Sequence, residues 1–206
     1  MTFSSKVKDE LLNVEAIKPC CILAECYGLL LFGRGFSAGE VYISTENKNV
    51  ALRYKELVER FTENPCNVSE SASGKIKVSV GNKQDRLAVL NAFGYNGKER
   101  TRRLNWANIS EDCCIGSFLR GVFLACGTVN SPEKNYHLEF VVPHMYLSRD
   151  LQKFLSDNDM AAKEVTRNGA YVLYFKDSGE IEDMLTVMGL SLIHISEPTR
   201  RTPMSY

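Results

Sequence analysis

The sequence predicts an α+β fold, a duplicated αββαββα arrangement whose two halves pack about a pseudo-two-fold axis. Three observations predict it. First, the stretch from Cys20-Cys21-Ile22 through Gly28-Leu29-Leu30-Leu31 to Gly33 returns 93 residues later, as Cys113-Cys114-Ile115 through Gly121-Val122-Phe123-Leu124 to Cys126. Second, the copying continues downstream: residues 51–61 (ALRYKELVERF) match 145–155 (MYLSRDLQKFL), 75–80 (KIKVSV) match 170–175 (AYVLYF), and 85–94 match 180–189. Third, helical and period-two apolar patterns alternate in the same order in both copies. A solenoid repeat would be shorter, about 20–50 residues.

Residues 1–18 form an N-terminal helix, capped by Ser4 or Ser5, with Val7, Leu11 and Leu12 on one side. Residues 19–94 are the first half. Pro19 starts its opening helix, about 20–32, and Gly33 and Gly35 end it. EVYIST (40–45) alternates as a strand. NVALRY adds a second strand leading into a helix near 54–62, and residues 63–74 (ENPCNVSESASG) read as a polar loop. In KIKVSV, Ile76, Val78 and Val80 point inward and Lys75, Lys77 and Ser79 outward. A helix over 83–93 closes this half.

Residues 95–112 are a linker holding a basic cluster, Lys98, Arg100, Arg102 and Arg103. Residues 113–190 repeat the order. The copied helix spans about 114–125, strand HLEFVV covers 137–142, and a helix follows at about 148–156. Asn168-Gly169 turns a hairpin between EVTR and AYVLYF. Ile181, Met184, Leu185 and Met188 mark the last helix. The tail, residues 191–206, resembles translated sequencing-adaptor sequence. It is read as non-native and set apart from the fold; the alternative is a native disordered tail.

Composition narrows the function. With 25 basic and 25 acidic residues the formal net charge is zero, so charge alone does not indicate nucleic acid. No run of eighteen apolar residues predicts a membrane span, and the N-terminus lacks a signal-peptide core, so a cytoplasmic protein with seven reduced cysteines is expected. Small residues at Gly28, Gly33, Gly121, Ala125 and Cys126 allow two helix backbones to approach closely. An interior glycine costs up to about 1 kcal/mol against alanine. Gly28, Gly121 and Ala125 are therefore assigned to packing between the two copied helices.

GLLLFGR (28–34) and GVFLACG (121–127) resemble the LAGLIDADG motif of homing endonucleases, in the same helix–strand–strand–helix order. SFLRGVFLACGTVNSPEKNYHLEF (117–140) is more similar still to the WhiA family of bacterial DNA-binding regulators. FSSKVKDEL at the start, the paired cysteines and RTRRLNWANIS (100–110) fit as well. The resemblance covers residues 1–189. It implies a LAGLIDADG-like N-terminal domain and roles in transcription regulation, cell division, chromosome segregation and sporulation, in the cytoplasm at the nucleoid. It also implies a C-terminal helix-turn-helix that makes the main DNA contacts, and this sequence contains no such segment. DNA is the expected partner, with other regulatory proteins beside it, and no membrane or cofactor.

LAGLIDADG nucleases carry one acid near the end of each motif helix, and the two carboxylates hold a divalent metal, because Mg²⁺ requires hard oxygen ligands. The matching positions here are Gly33 and Cys126. Glu25 is the acid in the first copied helix, and its copy is Phe118. The sequence therefore predicts no catalytic residue and no enzyme, only a scaffold. The alternatives are a sequence-specific endonuclease with atypical metal ligands and a small-molecule-sensing domain.

Weak DNA contact is assigned to Lys75, Lys77, Lys98, Arg100, Arg102 and Arg103; a solvated linker is the other reading of the arginines. Two copies of Cys-Cys could make halves of a zinc site. Adjacent cysteines diverge on a helix and zinc sites commonly use C-x₂₋₄-C. They are read as small buried thiols, and no metal is expected.

Overall fold

The computed structural model describes residues 1–191; the tail assigned to 191–206 lies outside them beyond its first residue. Helix α1 (Phe3–Leu12) opens the chain. The first half then runs α2 (Pro19–Leu31), β1 (Gly35–Phe36), β2 (Val41–Thr45), α3 (Lys48–Val58), β3 (Asn67–Glu70), β4 (Ile76–Ser79) and α4 (Lys83–Ala92). The second runs α5 (Cys114–Cys126), β5 (Gly127–Val129), β6 (Leu138–Val142), α6 (Met145–Asp157), β7 (Lys163–Arg167), β8 (Ala170–Phe175) and α7 (Ser178–Val187). Each half is αββαββα, and its strands form one antiparallel sheet, ordered β1-β2-β4-β3 or β5-β6-β8-β7. This is the duplicated αββαββα arrangement that the sequence predicts.

Helices α2 and α5 are apolar almost all round, so both lie buried between the two sheets. The remaining helices present one apolar stripe. In α7, Ile181, Met184, Leu185 and the following Met188 are fully buried. In β4, Ile76, Val78 and Val80 face the core while Lys75 and Lys77 face solvent. Asn168 (φ 52°) and Gly169 (φ 76°) make the tight turn between β7 and β8 that paired positive φ angles require. No helix among the described residues is long and apolar enough to cross a membrane.

Several local expectations need correction. Thr2, not Ser4 or Ser5, caps α1, accepting from the Ser5 N–H at 3.1 Å. NVALRY is helical: Asn47 caps α3 by accepting from the N–H groups of Asn49 and Val50, and Val50, Tyr54 and Leu57 then fall on one buried face. The strand missing from that place is β1, two residues long. Part of the polar loop is strand β3, an edge strand exposed at every position. β5 was not anticipated, and α3 and α6 begin earlier than the pattern suggested.

Candidate functional site

The two central helices lie side by side and run in the same direction, since Cys20 faces Cys113 at one end and Gly28 faces Gly121 in the middle. A Cβ on Gly28 would lie 2.5 Å from the Phe118 carbonyl oxygen and 2.8 Å from the Val122 nitrogen. One on Gly121 would lie 2.2 Å from the Glu25 carbonyl oxygen. Backbone meets backbone at this crossing, which is why both positions are glycine. Ala125 is partly exposed and lines the groove described next; the close approach belongs to the two glycines.

Beside the glycines sits a buried ion pair that joins the halves. Arg120 of α5 donates through Nε to Glu25 Oε1 at 2.7 Å, through Nη1 to the Met188 carbonyl at 2.8 Å and through Nη2 to Ser117 Oγ at 3.2 Å. Arg53 of α3 donates to Glu25 Oε2 at 3.3 Å and also to the Leu12 carbonyl. Both Glu25 oxygens are thus engaged by cations.

At the C-terminal ends of α2 and α5 a cavity of about 460 Å³ opens between the sheets. Gly33, Arg34, Tyr42, Ser44, Cys126, Thr128, His144 and Lys8 are among its lining residues. Gly33 and Cys126, the positions aligned with nuclease acids, therefore do converge. They do not fit a divalent metal. A Cβ on Gly33 would stand 2.9 Å from the Leu29 carbonyl oxygen and 3.1 Å from that of Tyr42, leaving no room for a carboxylate. Burial pushes the Cys126 thiol up to about 12. Lys8 brings an ammonium to the same groove, 5.7 Å from the Phe123 ring centroid. Burial lowers its pKa, and this cation at the end of two helices has no counterpart in the motif analysis.

The basic residues separate into two groups. Arg102 donates to the carbonyls of Leu31 (3.2 Å), Gly33 (2.8 Å) and Arg34 (3.4 Å), closing the C-terminal end of α2, and burial lowers its pKa. Arg103 grips Asp150 of α6 with two hydrogen bonds, at 2.8 and 3.0 Å, and this raises its pKa. These two arginines hold the linker onto the fold, and Arg103 remains exposed while doing so. Lys75, Lys77, Lys98 and Arg100 are exposed. Lys77 lies on the outer face of the first sheet with its Nζ 4.3 Å from the Tyr42 ring centroid.

The outer faces of the sheets differ. Around Lys77 the first carries Tyr42, Ser44, Ser69 and Ser79, with no acid among the cross-strand partners described there. On the second, Glu139 replaces Tyr42 in register and accepts from Arg167 at 2.7 and 3.3 Å and from His137 at 3.0 Å. Burial opposes its charge, but the bonds from Arg167 and His137 outweigh that and hold the carboxyl below its ordinary value. The linker is fastened by Tyr27, whose hydroxyl accepts from the Asn105 N–H at 2.7 Å and lies 2.5 Å from the Tyr95 hydroxyl.

At the N-terminal ends of α2 and α5, the sulfurs of Cys20, Cys21, Cys113 and Cys114 all lie within 4.8 Å of one another. Divergence along one helix does not keep them apart, because the partner helix supplies the other pair from across the axis.

Comparison with known proteins agrees with this geometry. The family model for the WhiA LAGLIDADG-like domain matches residues 115–196. The "Probable cell division protein WhiA" of Alkaliphilus metalliredigens is 30% identical over 205 residues, covering 92% of this chain and 65% of the relative. That of Ruminiclostridium cellulolyticum is 32% identical over 200 residues, covering 92% and 64%. The chain resembles the WhiA family over 92% of its length. It spans about two thirds of the length of these WhiA relatives, just under that fraction in each. Among solved structures, the N-terminal LAGLIDADG domain of WhiA superposes with a TM-score of 0.70 at 22% identity, covering 94% of this chain and 95% of that one. Full-length WhiA from Thermatoga maritima gives 0.71 at 21%, covering 94% and 63%. The homing endonuclease I-DmoI, in complex with DNA and Mn, gives 0.57 at 15%, covering 84% and 99%. At these identities the structural likeness speaks for the fold.

Proposed function

We propose that this WhiA domain is a catalytically inactive scaffold of a DNA-binding transcriptional regulator, acting in cell division and, by extension, in chromosome segregation and sporulation. The observation that carries the first part is the groove at the ends of α2 and α5. Two convergent carboxylates would be needed there to hold a divalent metal. Gly33, Cys126 and the Lys8 ammonium line it instead, and the acid of α2, Glu25, is consumed by Arg120 and Arg53.

DNA contact in this reading is weak and sequence-independent. Lys75, Lys77, Lys98 and Arg100 supply the phosphate contacts, and specificity comes from base-edge contacts made elsewhere in the regulator. The neutral net charge supports weak electrostatic attraction. A supercoiled-plasmid assay with Mg²⁺ or Mn²⁺ tests the catalytic part. No nicking above background is expected; nicking that disappears in Glu25→Gln would overturn it. Fluorescence anisotropy on several duplexes tests the binding part. Similar weak affinities that fade with salt are expected, and sub-micromolar preference for one duplex would assign sequence reading to this domain.

A further inference from the structure

We propose that Cys20, Cys21, Cys113 and Cys114 form a tetrathiolate site for a zinc ion that clamps the two halves together. The four sulfurs come from two helices, two from each half, and all lie within 4.8 Å of one another. Cys20 and Cys113 sulfurs are 3.6 Å apart. Four thiolates around tetrahedral zinc, at a Zn–S distance of about 2.3 Å, stand roughly 3.8 Å from each other. The cluster therefore needs to contract by only about 1 Å at its widest. No rearrangement of either helix is required.

The cluster sits over the N-termini of α2 and α5, where the helix dipoles attract negative charge. Neither α2 nor α5 has a side-chain cap at its N-terminus. Access is also suitable. Cys113 is exposed and Cys20 partly so, while Cys21 and Cys114 are buried beneath them. A metal would enter from solvent onto the outer pair and be enclosed by the inner pair. A four-sulfur tetrahedral set with no oxygen or nitrogen donor selects zinc over the hard metals that this fold's nucleases use. Binding releases the thiol protons, so affinity rises with pH. The ion would fasten the N-terminal ends of the central helices, while the glycine crossing fastens their middles.

The test uses the whole chain, stripped of metal by chelator under reductant and titrated with Co²⁺, then Zn²⁺. One equivalent of Co²⁺ is expected to give the intense visible bands and near-ultraviolet charge-transfer absorption of a tetrahedral thiolate site, displaced by one equivalent of Zn²⁺. Zinc should protect four of the seven cysteines from a thiol reagent. Cys20→Ser combined with Cys113→Ser changes the accessible pair. Circular dichroism confirms its folding, and it should weaken zinc by more than the ~10–100-fold that follows loss of an outer-shell partner. Cys126→Ser should change nothing. Three results would overturn the proposal: no tetrahedral cobalt signature, a signature that survives in the double variant, or a Cys20–Cys113 disulfide on air oxidation with no metal uptake under reduction. Recovery of the protein with bound iron in place of zinc would overturn the metal assignment.

Discussion

Gly121→Ala adds one methyl group at the tightest point of the molecule. Its carbon would start 2.2 Å from the Glu25 carbonyl oxygen, 3.0 Å from the Glu25 carbonyl carbon and 3.1 Å from the Leu29 nitrogen. All three are backbone atoms of α2, so no side chain can rotate away. The helices must separate by roughly 1 Å to restore ordinary contact, and loosening a packed core in this way costs typically about 1–3 kcal/mol, occasionally more. This crossing belongs at the upper end, about 3 kcal/mol. Alanine returns up to about 1 kcal/mol through its better helix propensity. The net loss is about 2 kcal/mol, or roughly 4–8 °C in Tm for a domain of this size. Gly179→Ala is the control: in α7 its Cβ meets only the Asp177 carboxylate, at 3.1 Å, and should be neutral or slightly stabilising. Differential scanning calorimetry compares the two with wild type. If Gly121→Ala melts at or above the control, the backbone contact does not hold the helices and the packing argument fails. Gly121→Leu should lose more, and Gly28→Ala with Gly121→Ala should lose less than the sum, because the first separation makes room for the second methyl.

Arg120→Met leaves Glu25 buried with only the more distant Arg53, and urea unfolding should show a loss of about 3–5 kcal/mol, while Glu25→Met with Arg120→Met should recover much of it. Glu139 is depressed in the folded state, so its contribution is present above the ordinary glutamate value and is lost as pH falls through the lower folded one. Glu139→Gln should therefore flatten the pH dependence of stability below about pH 4.3 and lower stability at neutral pH, measured by denaturation across a pH series. Lys77→Ala should weaken non-specific DNA binding, typically about 10⁻⁴–10⁻⁶ M at physiological salt, without moving Tm. Arg102→Ala should lower Tm, having lost three carbonyl partners; if it instead weakens DNA binding with Tm unchanged, its assignment to the fold is wrong.

What the sequence made legible was whatever left a periodic trace. The copied helices, the alternation of KIKVSV and the Asn168-Gly169 turn are local patterns with local causes, and they appear where expected. β1 and β3 left no trace: two residues cannot show a period, and an edge strand exposed at every position needs no apolar alternation. NVALRY was ambiguous because Val and Tyr favour strands, and Asn47 decided for helix by capping it. Around the candidate sites the failures share a different cause. Arg102 and Lys8 are charges, and charge in a sequence reads as surface; Arg103 is at the surface, but its grip on Asp150 was not legible. Their partners are carbonyls, a carboxylate more than forty residues away and a groove wall, none adjacent in the chain. The cysteine cluster was judged on one helix, whereas its geometry belongs to two.

The buried pair of Glu25 and Arg120 breaks the internal symmetry on which the fold is built. Under the repeat, Glu25 corresponds to Phe118 and Arg120 to Tyr27, so each helix has one member of the pair and an aromatic ring where its twin has the other. Tyr27 and Phe118 pack against each other, with ring centroids 5.8 Å apart. Two copies of the first half, docked through their α2 helices, would bury two carboxylates with a tyrosine in place of each Arg120. Two copies of the second would bury two guanidinium groups without an acid. An uncompensated buried charge costs several kcal/mol. The pair therefore favours association of unlike halves over like ones, although Arg53 of the first half would still partner Glu25 in a like pair. Fragments cut in the linker should accordingly re-pair first half with second rather than like with like.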